Sequence, residues 1–260
     1  MSIFEALILG IVQGLTEFFP VSSSAHLKIA KWFLGVPDGE HLIFFDLLCH
    51  AGTLLALVIY LRKDVWEILK SPRKMAVYFA AIVPLVPAYF FMKPLRVALS
   101  DPSYLGFCLM ATAGLLFAAS RKQAESTPSE APPKKWRDVL CIGLMQTMAL
   151  IPGISRSGST IAAARFCGWE WREAARFSFL LAIPTVLGGE LLETWKMLSG
   201  SSEAAGAVSP ICYAGGFAAS FGLGLAGVRL IFWLYEKGRV RPFAWYCLGA
   251  GLFAWAIFRG

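Results

Sequence analysis

"QGLTEFFPVSSSAH", residues 13–26, decides how this chain is read. It sets a glutamine, a glutamate, a proline, three serines and a histidine between two apolar flanks, "IFEALILGIV" and "LKIAKWFLG". Proline inside a helix removes a backbone hydrogen bond and clashes with the preceding turn. The apolar run 3–34 therefore resolves into two short helices joined by a polar break. A second apolar run, 140–166, is interrupted the same way by "PGISRSGST", residues 152–160. Irregular backbone at membrane depth is tolerated only where it is buried in protein or lines a wet cavity. Both segments thus read as re-entrant hairpins whose tips turn back inside the membrane.

The rest of the chain sets that reading in a bilayer. Of 260 residues 57% are hydrophobic and 16% charged, against roughly a quarter charged in a soluble domain. Six further segments, at 42–61, 75–92, 104–120, 177–192, 211–235 and 243–258, have the apolar character of crossing helices, which need ~20 such residues. The expectation is a single all-α, polytopic membrane domain with six transmembrane helices and two re-entrant hairpins. The opening residues lack a basic n-region and carry Glu5, so the first segment is expected to be retained. Five tryptophans near span ends (Trp66, Trp136, Trp195, Trp245 and Trp255) fit interfacial anchoring. "GGFAASFGLGLAG", residues 215–227, reads as a small-residue face for close helix packing. The six cysteines are scattered singly, without metal-ligand spacing, and read as small apolar side chains. The net charge of +7 belongs to short loops rather than to a nucleic-acid-binding face.

The halves 1–120 and 138–260 repeat each other weakly but in order. "GIVQ" at 10–13 precedes the first break and "GLMQ" at 143–146 the second; Pro20 and Pro152 follow, each with serines after it. "FDLLCHAGT" at 45–53 then answers "FSFLLAIPT" at 177–185. The Pro-, Ser- and Lys-rich link "RKQAESTPSEAPPKKWRD", 121–138, reads as a flexible divider between them. Each half is a hairpin plus three crossings, so the second must enter from the opposite side. That is an inverted-topology repeat, whose site is expected at the repeat interface near the midplane. Most of the 24 Lys and Arg, including those at 62–74, 121–137, 165–176 and 237–241, then share one side. By the positive-inside rule that side is cytoplasmic, and both termini face away from it.

The two breaks hold the chemistry. Gln13 and Glu17, four apart, share one helix face; Ser23 and His26 are three apart on the next helix; Arg156 and Thr160 are four apart after Pro152 and Gly153. Two helix N-termini meeting inside the membrane form an anion site. Serine hydroxyls add donors, and Arg156 adds a planar fork suited to phosphate oxygens. Glu17 fits beside an anion when a divalent cation or a proton bridges it to the ligand. Ser23 with His26 offers a nucleophile and a base. The plainer readings stay open: serines as helix caps, His26 as a structural hydrogen-bonder, Glu17–Arg156 as a buried ion pair. Charge at bilayer depth is costly and usually functional. Asp46 and His50, four apart in the first span, are candidates for lining the same cavity, whereas Glu190 and Glu193 read as solvated helix ends.

The two breaks, with "ARFSFLLAIP" at 175–184, resemble the integral-membrane undecaprenyl-diphosphate phosphatases, which are also associated with bacitracin resistance. The resemblance covers nearly the whole chain. It implies hydrolysis of the C55 isoprenoid diphosphate to the monophosphate carrier used in peptidoglycan synthesis. It also implies a bacterial cytoplasmic membrane protein, a polyprenyl diphosphate substrate among membrane lipids, no nucleic acid, and a divalent metal, Mg2+ or Ca2+. A homodimer is compatible with this reading. On this chain the family's glutamate-or-glutamine and glutamate motif falls on Gln13 and Glu17, so Glu17 would serve the metal largely with phosphate oxygens and water. The serine and histidine of the first motif fall on Ser23 and His26, with Ser22 and Ser24 beside the diphosphate. The phosphate-binding residues of the second motif fall on Ser155, Arg156, Ser157 and Thr160. Arg156 and the helix N-termini would hold the diphosphate while Ser23 or water attacks. The competing function is a lipid flippase or transporter using the same inverted-repeat cavity, alone or combined with the phosphatase.

Overall fold

A computed structural model describes residues 1–37, 39, 42–122, 135–199 and 208–259. The regular structure of the described residues is all helix, with no strand among them. Most of the link at 121–138 lies outside them.

Helix α1 (Ile3–Thr16) starts on a capping box between Ser2 and Glu5, and α2 (Ser23–Leu34) stops at Gly35, whose φ of 65° closes the helix. Between them residues 17–21 form turns, and Ser22 takes φ 68°, the only positive value among the described non-glycine residues. The second break is built differently. Helix α9 (Trp136–Gln146) tightens into a 3-10 turn, Thr147–Leu150, and Gly153 at φ 96° reverses the chain. Ser155 then caps α10 (Arg156–Phe166), accepting from the Gly158 N–H at 3.1 Å.

Among the described residues five helical stretches are long and apolar enough to cross a membrane: Ile43–Tyr60, Pro72–Phe91, Pro102–Arg121, Trp171–Met197 and Pro210–Glu236. They correspond to α3 (Ile43–Tyr60), to α5 (Pro72–Ile82) continued by α6 (Leu85–Phe91), to α8 (Leu105–Arg121), to α11 (Trp171–Ser199) and to α12 (Pro210–Glu236). The expected sixth crossing at 243–258 forms helix α13 (Arg241–Phe258). It falls outside that group because its Arg–Pro start and its Gly, Trp and Tyr content dilute its apolar character. Two short helices, α4 (Arg62–Leu69) and α7 (Lys93–Ala98), and a 3-10 turn at Pro102–Tyr104 are also present. Large apolar side chains such as Phe4, Phe79, Phe90, Phe91 and Trp195 are exposed, as suits a surface that meets lipid.

Packing is reciprocal between the halves. The α1 helix lies on α12, and α9 lies on α5. Both contacts are backbone to backbone: a Cβ at Gly10 would sit 2.5 Å from the Gly216 carbonyl oxygen, and one at Gly143 equally close to that of Ala81. The stripe at 215–227 serves this close approach, with Gly224 also packed on Thr53 and Ala56 of α3. The α8 and α13 helices pair with each other, again through glycines, Gly106 against Gly251. Two broken segments far apart in sequence are thereby held beside one another in the bundle.

Candidate active site

The two breaks are cross-bonded. Ser24 Oγ accepts from the Gly153 N–H at 3.4 Å and shares a hydrogen bond with Ser22 Oγ, while Ser157 Oγ donates to the Phe19 carbonyl at 3.1 Å. Ser155 N–H donates to Thr112 Oγ1 on α8 at 3.1 Å, which fixes the start of α10. The N-termini of α2 and α10 consequently open onto one cavity of about 340 Å³.

Glu17 is the hub of that cavity. Its Oε1 accepts from Arg156 Nη2 at 2.7 Å; its Oε2 accepts from Ser23 Oγ at 2.7 Å and from Gln13 Nε2 at 3.0 Å. His50 Nε2 lies 3.9 Å from the same Oε2. A carboxylate and a guanidinium that are both mostly covered hold each other by a charge-assisted bond. Arg156 Nη1 is buried without a partner among the described residues, so half of the guanidinium fork is uncommitted. Glu17, Ser22, Ser23, Ser24, His50, Ser155, Arg156 and Ser157 all line the cavity.

Four residues singled out in the sequence stand elsewhere. Gln13 is fully buried behind Glu17. His26 has both ring nitrogens engaged away from Ser23: Nδ1 with the Ser22 carbonyl and Nε2 with the Tyr246 hydroxyl, each at 2.8 Å. Thr160 lies one turn behind the helix start, fully buried, its hydroxyl 2.6 Å from that of Ser178. Asp46 pairs with the buried Lys31 at 2.7 Å and is not in the cavity wall, although its neighbour one turn on, His50, is.

Glu190 and Glu193 correct an expectation. The helix expected to end near residue 192 continues to Ser199, so Glu190 and Glu193 belong to its body and line the cavity, together with Tyr89 from α6. Glu193 pairs with Lys196, whereas Glu190 Oε1 is buried without a partner among the described residues. Only an uninterrupted helix through Pro184 brings them there, and the apolar pattern alone gave no sign of it.

Among the described residues no group of three His, Cys, Asp or Glu side chains is placed to hold an ion. Both Glu17 oxygens are already taken. Among the described residues the side chains alone do not make up a metal centre.

A family model described as bacitracin resistance protein BacA matches residues 6–253. Among curated proteins, one from Protochlamydia amoebophila (strain UWE25), named undecaprenyl-diphosphatase, is 38% identical over 253 residues, covering 97% of each chain. One of the same name from Geobacter sulfurreducens is 37% identical over 268 residues, covering 96% of each. A third, from Parabacteroides distasonis, is 36% identical with 97% of each chain covered.

Proposed function

The chain belongs to the BacA bacitracin-resistance family, and we propose on that premise that it hydrolyses undecaprenyl diphosphate to undecaprenyl phosphate and inorganic phosphate. The enzyme recycles the lipid carrier of cell-wall synthesis and so supports bacitracin resistance. One observation carries the reading: two serine-rich helix starts far apart in sequence, at Ser23 and at Ser155–Arg156, converge with Glu17 on one cavity.

The chemistry follows from the contacts. The diphosphate oxygens take the uncommitted half of the Arg156 fork and the hydroxyls of Ser22, Ser24, Ser155 and Ser157. Ser23 Oγ attacks the terminal phosphorus. Its proton passes to Glu17 Oε2, already 2.7 Å away. The bond from that phosphorus to the bridging oxygen breaks, and the bridging oxygen leaves with the prenyl monophosphate. Water then attacks the phosphoserine, releases inorganic phosphate and restores the Ser23 hydroxyl. His26 is here a positioning residue: its bond to the Ser22 carbonyl holds the strained turn that aims Ser23. Thr160 acts likewise, through its bond to the Arg156 carbonyl at 2.9 Å. Mg2+ or Ca2+ would enter with the substrate in this reading, as the counter-ion of the diphosphate.

The architecture proposed is six crossings and two re-entrant hairpins in an inverted repeat, 1–120 and 138–260. The reciprocal packing of α1 on α12 and α9 on α5 supports it. The protein sits in the bacterial cytoplasmic membrane with both termini on the non-cytoplasmic side. Incubating the purified chain in detergent with farnesyl diphosphate and Mg2+ tests the activity. Phosphate release by the wild type and its loss in Ser23→Ala are expected; no release by the wild type would reject the reading.

A further inference from the structure

Arg156 stands between two chambers. The larger one holds Ser23 and Glu17. The second, about 210 Å³, shares Arg156, Ala149 and Val186 with it and is otherwise walled by Leu85, Leu150, Thr185 and Gln146. We propose that this second chamber receives the proximal phosphate and the first isoprene unit of the prenyl diphosphate, with Gln146 hydrogen-bonding the proximal phosphate.

Gln146 is 1% exposed, and neither its Nε2 nor its Oε1 has a hydrogen-bond partner among the described residues. A buried carboxamide left unmet on both atoms is costly. The repeat explains how it came to be unmet. In the first half, Gln13 meets Glu17 four residues on. In the second, the residue four after Gln146 is Leu150, which offers nothing polar. The carboxamide is thus free for a ligand on the side where the first half uses its own for a carboxylate.

The surroundings define that ligand. Arg156 commits Nη2 to Glu17 and leaves Nη1 buried, with no partner among the described residues. Two phosphates joined by one bridging oxygen are close enough for a single guanidinium to touch both. Leu85, Ala149, Leu150 and Val186 make the remaining wall apolar, which suits a methyl-branched hydrocarbon rather than a sugar or nucleoside. Thr185 does not compete as a donor, because its hydroxyl bonds the Leu181 carbonyl at 2.9 Å. The larger chamber contains the attacking serine and so takes the terminal phosphate; the proximal one, which stays with the product, falls to Gln146.

This inference rests on the proposed hydrolysis, and the test separates the two. Binding of farnesyl phosphate and of inorganic phosphate to the full chain in detergent is measured by calorimetry, beside farnesyl diphosphate kinetics. Gln146→Leu is expected to weaken farnesyl phosphate binding about tenfold and to leave inorganic phosphate binding unchanged. KM should rise by a similar factor with kcat within about twofold, the pattern of lost uniform binding. Gln146→Glu should weaken farnesyl phosphate binding further by like-charge repulsion, and Gln146→Met, close in length, serves if the leucine variant folds poorly. Product binding equal to wild type in the Leu and Met variants overturns the assignment, whether or not either variant melts higher. An equal loss for inorganic phosphate also overturns it, since Gln146 would then serve the terminal phosphate. A wild type that hydrolyses no prenyl diphosphate removes the premise itself.

Discussion

Arg156 and Glu17 need each other before any substrate arrives. Each is a charge in a largely covered place, and removing either leaves the other unpaired. Arg156→Lys keeps the charge but loses the planar fork that serves Glu17 and leaves Nη1 for a phosphate. We expect it to lower kcat/KM for farnesyl diphosphate by about 10²–10³, the usual cost of one preorganised donor, while the protein stays folded. Near-normal turnover would mean that Arg156 is only structural. Glu17→Gln removes the proton acceptor of Ser23, and a fall in kcat of about 10²–10⁴ is expected. His26→Asn separates two roles. A base would lose activity to the same depth as Glu17, whereas a positioning residue would give a smaller loss and a lower unfolding temperature. Glu17, Ser23 and Arg156, which share the cavity, stood out in the sequence by type and spacing, as did Gln13 and His26, which lie outside its wall. What spacing could not tell was which partner each would take. Ser23 found Glu17 rather than His26 because the turn between α1 and α2 folds the serine back over the end of the first helix.

At the scale of elements, the two breaks solve one problem by different means. The second uses Gly153 at positive φ, where a glycine pays no Cβ penalty; the first places Ser22 there. Ser22→Val, β-branched at φ 68°, should cost about 1–3 kcal/mol in detergent unfolding, and Ser22→Gly should be neutral or stabilising. A valine variant that melts with the wild type would show that this turn relaxes freely. Helix contacts make a sharper contrast. Gly10→Ala drives a methyl into the Gly216 backbone and should destabilise by about 1–3 kcal/mol, whereas Gly222→Ala, with no atom within 4 Å, should be harmless or favourable. The small-residue face of α12 was readable as a packing surface because glycine and alanine cluster there. Its partner was not, since α1 lies two hundred residues away and nothing local marks the pairing.

The whole molecule joins two halves through α1 on α12, α9 on α5 and α8 with α13. If the second half is inverted, Lys63→Cys and Arg259→Cys, each placed in a cysteine-free background, should be labelled by an impermeant thiol reagent from opposite faces of the membrane. Labelling from the same face would refute the inverted topology. Composition alone determined that this is a helical membrane protein, because apolar content and span length are set by the bilayer and need no knowledge of contacts. The prolines and serines of residues 13–26 and 152–160 determined that two segments are broken, because a local steric rule suffices for that. The tertiary structure decided which chemistry-bearing groups share a cavity. It drew Glu190 and Tyr89 to the site, left Asp46 to Lys31 and Thr160 to Ser178, and left Gln146 unmet beside Arg156. Those outcomes depend on long-range helix packing through glycine contacts, which sequence periodicity cannot encode because it reports which face of a helix is apolar and not which helix will cover it.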